Sequence, residues 1–530
     1  INFTSKSVSY DYDCGNGRTM NVTLSLDSYR NPNDVEINEI NFPDESFRTY
    51  VEDNCDTDGN GVLSQEEIDA VNGINVSKKN IADLKGIEYF SALTYLYCDS
   101  NQLTSLDVSK NTALTYLYCY SNQLTSLDVS KNTALIVLSC DSNQLTSLDV
   151  SQNTALTQLS CSSNQLTSLD VSKNTALIYL RCGSNQLTSL DVSKNTALIV
   201  LNCDSNQLTS LDVSQNTALT NLNCNSNQLT SLDVSKNTVL TKLDCDSNQL
   251  TSLDVSKNTA LTNLSCDSNQ LTSLDVSKNT DLINLDCDSN QLTSLDVSKN
   301  TALTNLYCDS NQLTSLDVSK NTALTNLYCS SNKLTSLDVS KNTALAYVWF
   351  LYNTYSIGEV SSYDLADLPG SFDITRASDW QGATLDGSVL TNFTSDKITY
   401  TYDCGNGSSE TFTLTVVDPI ADFVDRLYTT LLGRASEAKG KAEWVADLRN
   451  GRTAADVASG FVLSEELKEK NLSNSEFVDR MYRTFLDREA DKAGKADWVG
   501  ILDNGCSYGY ILNSFAGSQE FNNLCDSYGI

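Results

Sequence analysis

The densest set of potential ligating oxygens lies in one stretch, Asp56-Thr57-Asp58-Gly59-Asn60-Gly61-Val62-Leu63-Ser64-Gln65-Glu66-Glu67. It matches the calcium-loop pattern D-x-D-x-N-G-x5-E at every ligand position. Asp56, Asp58 and Asn60 offer side-chain oxygens. Val62 offers its carbonyl, Ser64 a hydroxyl acting directly or through water, and Glu67 both carboxylate oxygens. Gly61 permits the sharp turn that gathers them. Hard cations take such ligands, so the spacing predicts one structural Ca2+. The alternative is an acidic turn without metal.

Thiols are the second candidate chemistry. The chain has 17 cysteines and no histidine. The commonest general base and the commonest transition-metal ligand are therefore absent. Twelve cysteines recur every 21 residues, at Cys98, Cys119, Cys140, Cys161, Cys182, Cys203, Cys224, Cys245, Cys266, Cys287, Cys308 and Cys329. A periodic, inward-facing position argues for packing rather than nucleophilic attack. Parallel neighbours also suit a stack of reduced thiols better than the crossed geometry of a disulfide. Bonds between Cys506 and Cys525, or between Cys14 and Cys55, stay open at this level. Carboxylates recur with the same scaffold and converge on no recognisable pocket, so a glycosidase is not indicated. No enzymatic activity is expected.

The elements that position these groups follow from repetition. From Leu93 the chain reads LTYLYCDSNQLTSLDVSKNTA and returns to this pattern every 21 residues, with Asn101 to Asn332 in constant register. The template is LxxLxLxxNxL with Cys in place of one Leu. Leu93, Leu96, Cys98, Leu103, Leu106 and Val108 point inward. One unit buries too little to offset the entropy of ordering it, so only stacked units fold. The asparagines should bond backbone groups where each strand leaves the sheet. Ile74-Asn75-Val76-Ser77 reads as a degenerate first coil, and Leu345 to Phe350 as a last one with Phe350 in the Cys position. About fourteen strands at ~4.8 Å make a sheet roughly 60 Å long.

This repeat resembles the cysteine-ladder leucine-rich repeats of internalin J-type bacterial surface proteins. The resemblance covers about residues 74–353 and implies adhesion or ligand binding outside a bacterial cell. The flanking domains differ, so no partner is carried over. Tandem segments FVDRLYTTLLGRASEAKGKAEW from Phe423 and FVDRMYRTFLDREADKAGKADW from Phe477 resemble a domain family of unknown function from bacterial surface and secreted proteins. Its signature is FVxxLYxxxLGRxxDxxGxxxW. Glu437 stands near where that signature has Asp. Trp444 and Trp498 read as core anchors.

The expected fold is a repeat solenoid: a curved leucine-rich-repeat parallel-β solenoid with an EF-hand cap, small β modules and a C-terminal all-α domain. The boundaries are 1–30 for a β-hairpin remnant, 31–73 for the EF-hand-like cap, 74–353 for the solenoid, 354–418 for a β cap module and 419–530 for a tandem helical domain. The segment NFTSDKITYTYDCGNG at 392–407 recurs as NFTSKSVSYDYDCGNG at 2–17. The chain begins at Ile1, and we read it as a mature or excised piece of a longer precursor.

A net charge of −32 disfavours nucleic acid and anionic membranes. No 18-residue apolar run is present, so membrane insertion is not expected. A positive signal comes from the exposed strand face. Positions −3, −1 and +1 around each ladder Cys vary among Tyr, Asn, Ser and Asp, while the convex TSLDVSKNT stretch barely changes. Strand alternation puts these positions on the concave surface. The bland alternative is neutral drift on a solvated face. The candidate ligand contacts are Tyr95, Tyr97, Tyr116, Tyr118, Tyr120, Tyr179, Arg181, Tyr307 and Tyr328, for a protein or glycan on a cell or matrix surface. A second expectation is a homopolymer formed head to tail through the N-terminal hairpin.

Overall fold

The computed structural model describes residues 7–25, 34–358 and 361–530. They fall into two compact units, one running to residue 332 and including 337–351, the other comprising 333–336 and 352 onward. Residues 2–6 of the duplicated segment and 26–30 of the first expected domain lie outside the described residues.

In the first unit, β1 (Ser7–Asp13) and β2 (Thr19–Ser25) form an antiparallel hairpin. β3 (Val35–Glu36) pairs with β4 (Val62–Leu63), which lies between helices α1 (Glu45–Asn54) and α2 (Gln65–Ala70). The solenoid follows as β5 (Gly73–Asn75), then β6 (Tyr95–Tyr97) through β17 (Asn326–Tyr328), then β18 (Tyr347–Trp349). These make one parallel sheet of 14 strands in strict chain order. The register sets each central Leu beside the next, as in Leu96 with Leu117 and Leu306 with Leu327.

The predicted inward set is buried throughout, Cys included. Burial pushes the ladder thiols far above the ordinary range, which leaves them uncharged and unreactive. Several donate weakly to the next coil's carbonyl, as Cys140 Sγ does to Ser160 at 3.5 Å.

Each corner is made the same way. Asn122 Nδ2 donates to the carbonyls of Cys98 (3.0 Å) and Cys119 (3.1 Å), while its Oδ1 accepts from Leu103 N (3.0 Å). The amide bonds backbone groups at the bend, as the sequence led us to expect, and in doing so it ties two coils. The residue before it, Ser121, is left-handed at φ 54°, and its N–H donates to Asp141 O in the next coil. A second column, Asn111 to Asn342, is wholly buried. Asn132 Nδ2 donates to Val108 O (3.0 Å) and Asn111 O (2.9 Å). Sequence reading passed over this column, although its invariance at the same period marked it.

At the N-terminal end, Phe42 packs on Phe47, Tyr89 and Phe90. This joins the helix–loop–helix core to the first coil. Gly86 allows the approach: its φ is 105°, and a Cβ there would meet the Phe42 ring at 2.3 Å.

In the second unit, β19 (Thr354–Gly358), β20 (Ser362–Asp364), β21 (Ala377–Gln381), β22 (Thr384–Asp386), β23 (Val389–Thr391), β24 (Lys397–Gly405) and β25 (Ser408–Val417) form two sheets. Their orders are β19-β25-β24-β21 and β20-β23-β22. The β24–β25 turn carries positive φ at Asn406 and Gly407, as a tight hairpin requires. Ile398, Tyr400, Tyr402, Phe412 and Leu414 are buried there, and Trp380 stacks on Tyr400 at 4.4 Å.

Eight helices follow, α3 (Pro419–Arg426), α4 (Ala438–Arg449), α5 (Ala454–Val462), α6 (Glu465–Glu469), α7 (Asn474–Leu486), α8 (Lys492–Asp503), α9 (Tyr508–Ala516) and α10 (Gln519–Ser527). They share one core. The Phe423-Leu427-Tyr428-Leu431 face is buried, but the backbone widens to a π-helical turn at Leu427–Leu431. There Thr429 and Thr430 hydroxyls bond back to the carbonyls of Asp425 and Arg426. Trp444 and Trp498 are half-buried flanks of the core rather than its centre. No helix among the described residues is long and apolar enough to cross a membrane.

All 17 cysteines are thiols. The Cys14–Cys55 and Cys506–Cys525 bonds left open above are not made: Cys14 and Cys506 are exposed, Cys55 and Cys525 buried. Thiol titration in denaturant without reductant should therefore count at least the twelve ladder groups, and fewer would contradict the packing. Cys224→Ser should cost about 1–3 kcal/mol by burying a hydroxyl, measured by thermal or denaturant unfolding.

Candidate functional site

Two regions carry the residues singled out by sequence. The first is the helix–loop–helix. Asp44 starts α1 by accepting from Phe47 N at 3.0 Å, and Ser64 and Glu67 form a capping box on α2. Between them the loop folds onto its own acids. Asp56 Oδ1 accepts from Gly59 N (2.9 Å) and Oδ2 from Gly61 N (2.8 Å), with Gly61 at φ 78°. Glu67 Oε1 accepts from Thr57 N and Oγ1, each 2.7 Å, and Oε2 from Ser64 N and Oγ, each 2.9 Å. Burial would raise the Glu67 carboxyl, but these bonds outweigh it and hold its pKa at about 2. Carboxylate oxygens of Asp56, Asp58 and Glu67 lie within 4.8 Å of one another. Asn60 lies beside them, its Oδ1 accepting from Val62 N at 2.8 Å, and Ser64 gives its hydroxyl to Glu67. This donor set, all oxygen and rich in carboxylates, is the kind that holds a hard cation.

The second region is the concave face. Tyr95 and Tyr97 flank buried Leu96, as alternation requires, and Tyr116 and Tyr118 flank Leu117. Tyr95, Tyr116 and Tyr179 are exposed; Tyr97, Tyr118 and Tyr120 are half-buried. Tyr97 stacks on Tyr118 with centroids 4.8 Å apart, and Tyr95 packs on Tyr97 at 5.8 Å. The Tyr95 ring also lies over Gly73, where any Cβ would collide with it. Not every +1 position is open: Asp99 is buried and accepts from Ser77 Oγ at 2.6 Å. Beyond this patch a concavity of about 330 Å³ runs from Tyr118 across Val137, Ser139, Asp141 and Gln158 to Tyr179 and Arg181.

Tyr307 and Tyr328 do not join that patch. They stack on each other at 5.0 Å, but Tyr307 stands nine coils from Tyr118, roughly 40 Å along the sheet at ~4.8 Å per strand. The nine candidate contacts thus fall on two separate stretches of the face. Around the second pair the −3 column is a ladder of amides, Asn326 donating to Asn305 and Asn305 to Asn284. The +1 column is acidic. Asp246 accepts from Asp267 N (2.9 Å), and Asp288 from Asp309 N (2.6 Å). Burial, then the neighbouring Asp286, pushes the Asp288 carboxyl up to about 8, and burial lifts Asp286 to about 6. Sequence reading noted Asp as one of the face's variable residues but not that four consecutive coils align it.

The helical signature residues serve their own fold. Asp425 pairs with Lys441 at 2.5 Å and Asp479 with Lys495 at 2.6 Å. Arg434 lies over Tyr428 and reaches Glu466; Arg488 lies over Tyr482 and reaches Glu520. The Glu437 departure has a local consequence. Asp491 caps α8 by accepting from Gly494 N, whereas Glu437 makes no cap bond to α4 and instead binds Arg434.

Comparison with known proteins fits these features. Residues 408–471 and 458–525 each match a domain of unknown function (DUF4214). Over 71 residues the chain is 42% identical to internalin J of Listeria monocytogenes serotype 4b, a match spanning 13% of this chain but only 8% of that protein. The solved functional domain of internalin J from Listeria monocytogenes, described as including a cysteine ladder, superposes with a TM-score of 0.58 at 35% identity, covering 72% of this chain and 98% of that one. An internalin, InlF, from the same species gives 0.56 at 25% identity, covering 59% and 97%. A leucine-rich-repeat protein of Leptospira interrogans gives 0.51 at 25%, covering 55% and 81%. The repeat, its buried cysteine column and these relatives agree: the chain belongs to the cysteine-ladder leucine-rich-repeat family of the internalin J type.

Proposed function

We propose that this is a secreted or surface-displayed bacterial adhesin that recognises a protein or glycan through the N-terminal half of its concave face. One observation carries the reading: on a scaffold repeated almost letter for letter, substitutions concentrate on the concave columns, where five tyrosines gather. Rigid aromatic rings with polar tips give contact area at low entropic cost and dominate binding hot spots. Neutral drift would touch the convex stretch equally. Arrays of extracellular proteins and glycans should identify ligands of the intact chain. Replacing Tyr95, Tyr97, Tyr116, Tyr118 and Tyr120 with Ser should then reduce binding at least about a hundredfold, the scale of a lost hot-spot cluster. The melting temperature should fall only modestly, because none of the five enters the Leu–Cys core. Retained binding would relocate the site.

In the same reading, Asp56, Asp58, Asn60, Val62, Ser64 and Glu67 hold one Ca2+ that fastens the N-terminal cap to the first coil. Such extracellular loops bind in the range of about 10⁻⁴–10⁻³ M. Millimolar calcium should raise the melting temperature and protect residues 34–90 from proteolysis, with chelator reversing both. A chelator-insensitive cap would contradict the assignment.

A second reading, a structural subunit of a head-to-tail extracellular filament, draws on the duplicated hairpin. Tyr10 and Tyr12 are 45% and 56% exposed, while their counterparts Tyr400 and Tyr402 are each 1% exposed. A two-stranded hairpin with an uncovered aromatic face is marginal alone. If it joins molecules, light scattering and electron micrographs of the intact chain should show concentration-dependent oligomers that vanish on deleting residues 1–30. An intact chain that stays monomeric at high concentration, with or without calcium, removes this reading and leaves the adhesin.

A further inference from the structure

Arg181 is the one arginine among residues 74–353. It stands exposed on the concave face, in register between Ser160 and Asn202. The other cation of this face and several arginines elsewhere are paired. Lys242, on the same face, pairs with Asp244 at 2.8 Å. In the helical region Arg426, Arg434, Arg452, Arg483 and Arg488 each hold a carboxylate. Among the described residues Arg181 makes no ion pair, in a chain of net charge −32.

The concavity beside it, about 330 Å³, lies at the lower end of the range for small-molecule sites. Tyr118 closes one end and Tyr179 the other, three coils or about 14 Å apart at ~4.8 Å per strand. Val137, only 6% exposed, gives the floor an apolar centre. Asp141 is fixed within it: Oδ1 accepts from Ser160 Oγ (2.6 Å) and Ser162 N (2.8 Å), and Oδ2 from Ser139 Oγ (2.8 Å). At the Arg181 end the +1 residue is Gly183. The space a Cβ would fill there is taken by Asp204 Oδ1, 2.1 Å from that point. The trough therefore offers one unpaired guanidinium, two aromatic walls, and carboxylate and amide acceptors for hydroxyl donors.

We propose that this trough is a subsite for an acidic sugar residue of a glycan, with Arg181 taking its carboxylate. A guanidinium matches a carboxylate with two parallel N–H donors. The ring's C–H face suits Tyr179, and its hydroxyls donate to Asp141 and Gln158. An acidic peptide has the carboxylate but lacks the hydroxyl donors that Asp141 and Gln158 would accept. The inference rests on the concave-face reading and gives it a ligand class.

The test is calorimetric titration of the full chain with three probes: trigalacturonate, its neutral galactose counterpart and hexaglutamate. Trigalacturonate should bind at least about tenfold more tightly than either, the usual scale for a charge-assisted contact. Arg181→Gln should remove that margin, and Tyr179→Ser should weaken trigalacturonate and the neutral sugar together. Unchanged melting of both variants excludes unfolding as the cause. Equal binding of acidic and neutral sugars, tighter binding of hexaglutamate, indifference to Arg181→Gln, or no binding of any probe would each overturn the subsite. A variant replacing Tyr95, Tyr97, Tyr116 and Tyr120 with Ser, which leaves the trough's Tyr118 in place, tests the broader reading separately. If that variant loses its array ligands while Arg181→Gln retains them, the adhesin stands and the subsite falls.

Discussion

The coils from Leu93 onward are held at their corners by a buried asparagine amide. After each strand from β6 to β17 the chain turns through a serine held in the left-handed region, a conformation that costs an L-residue about 1–2 kcal/mol. The asparagine that follows supports the turn by bonding carbonyls of its own coil and the preceding one, and by accepting an N–H from the preceding coil. Its bonds to the preceding coil are therefore not available to an isolated unit. This makes the fold cooperative along its length and explains why both ends carry aromatic caps: Phe42 and Phe90 at one, Phe350 at the other. The cysteine fits the same constraint. Its side chain fills the core beside the turn without competing for the asparagine's partners, and burial keeps it from ionising.

Because the Leu, Cys and Asn columns carry the coil, the residues flanking the central Leu of each strand are largely released from holding the fold. They can become tyrosines in one set of coils and amides or carboxylates in another. The release is incomplete. Tyr95 covers Gly73, Asp99 is buried against Ser77, and Asp288 is raised to about 8. The upward shift of Asp288 means that the folded chain favours its protonated form. That acid's contribution to stability is complete below about pH 4 and is lost as pH rises through about 8. Stacking like charges is thus a cost borne by the face, not by the scaffold.

Much of the fold was legible because periodicity is explicit. Twelve copies fixed the register of Leu, Cys and Asn101 to Asn332, and the strands fall where the template put them. What escaped was geometry with no period of its own. The joining of Tyr118 to Tyr179 and Arg181 across two coils arises because Val137, Ser139 and Ser160 are small, a feature visible only once neighbours are laid side by side. The 40 Å separation of Tyr307 from the first patch was implied by coil counting but hidden by composition. Cysteine pairing outside the ladder could not be read, since it depends on which of Cys14, Cys55, Cys506 and Cys525 reach the surface. In the helical region the signature named the right residues, yet a sequence gives no sign that Leu427–Leu431 widens into a π turn.

The central claim is that the buried columns carry the fold and the concave columns carry recognition. It is tested most directly by overwriting the −3, −1 and +1 residues of the coils from Tyr95 to Gly183 with the Asn, Asn and Asp found in later coils, leaving every Leu, Cys and Asn in place. The account predicts a chain that still melts cooperatively within a few degrees of the original and has lost its ligand. Loss of cooperative folding, or a ligand bound as before, would contradict it.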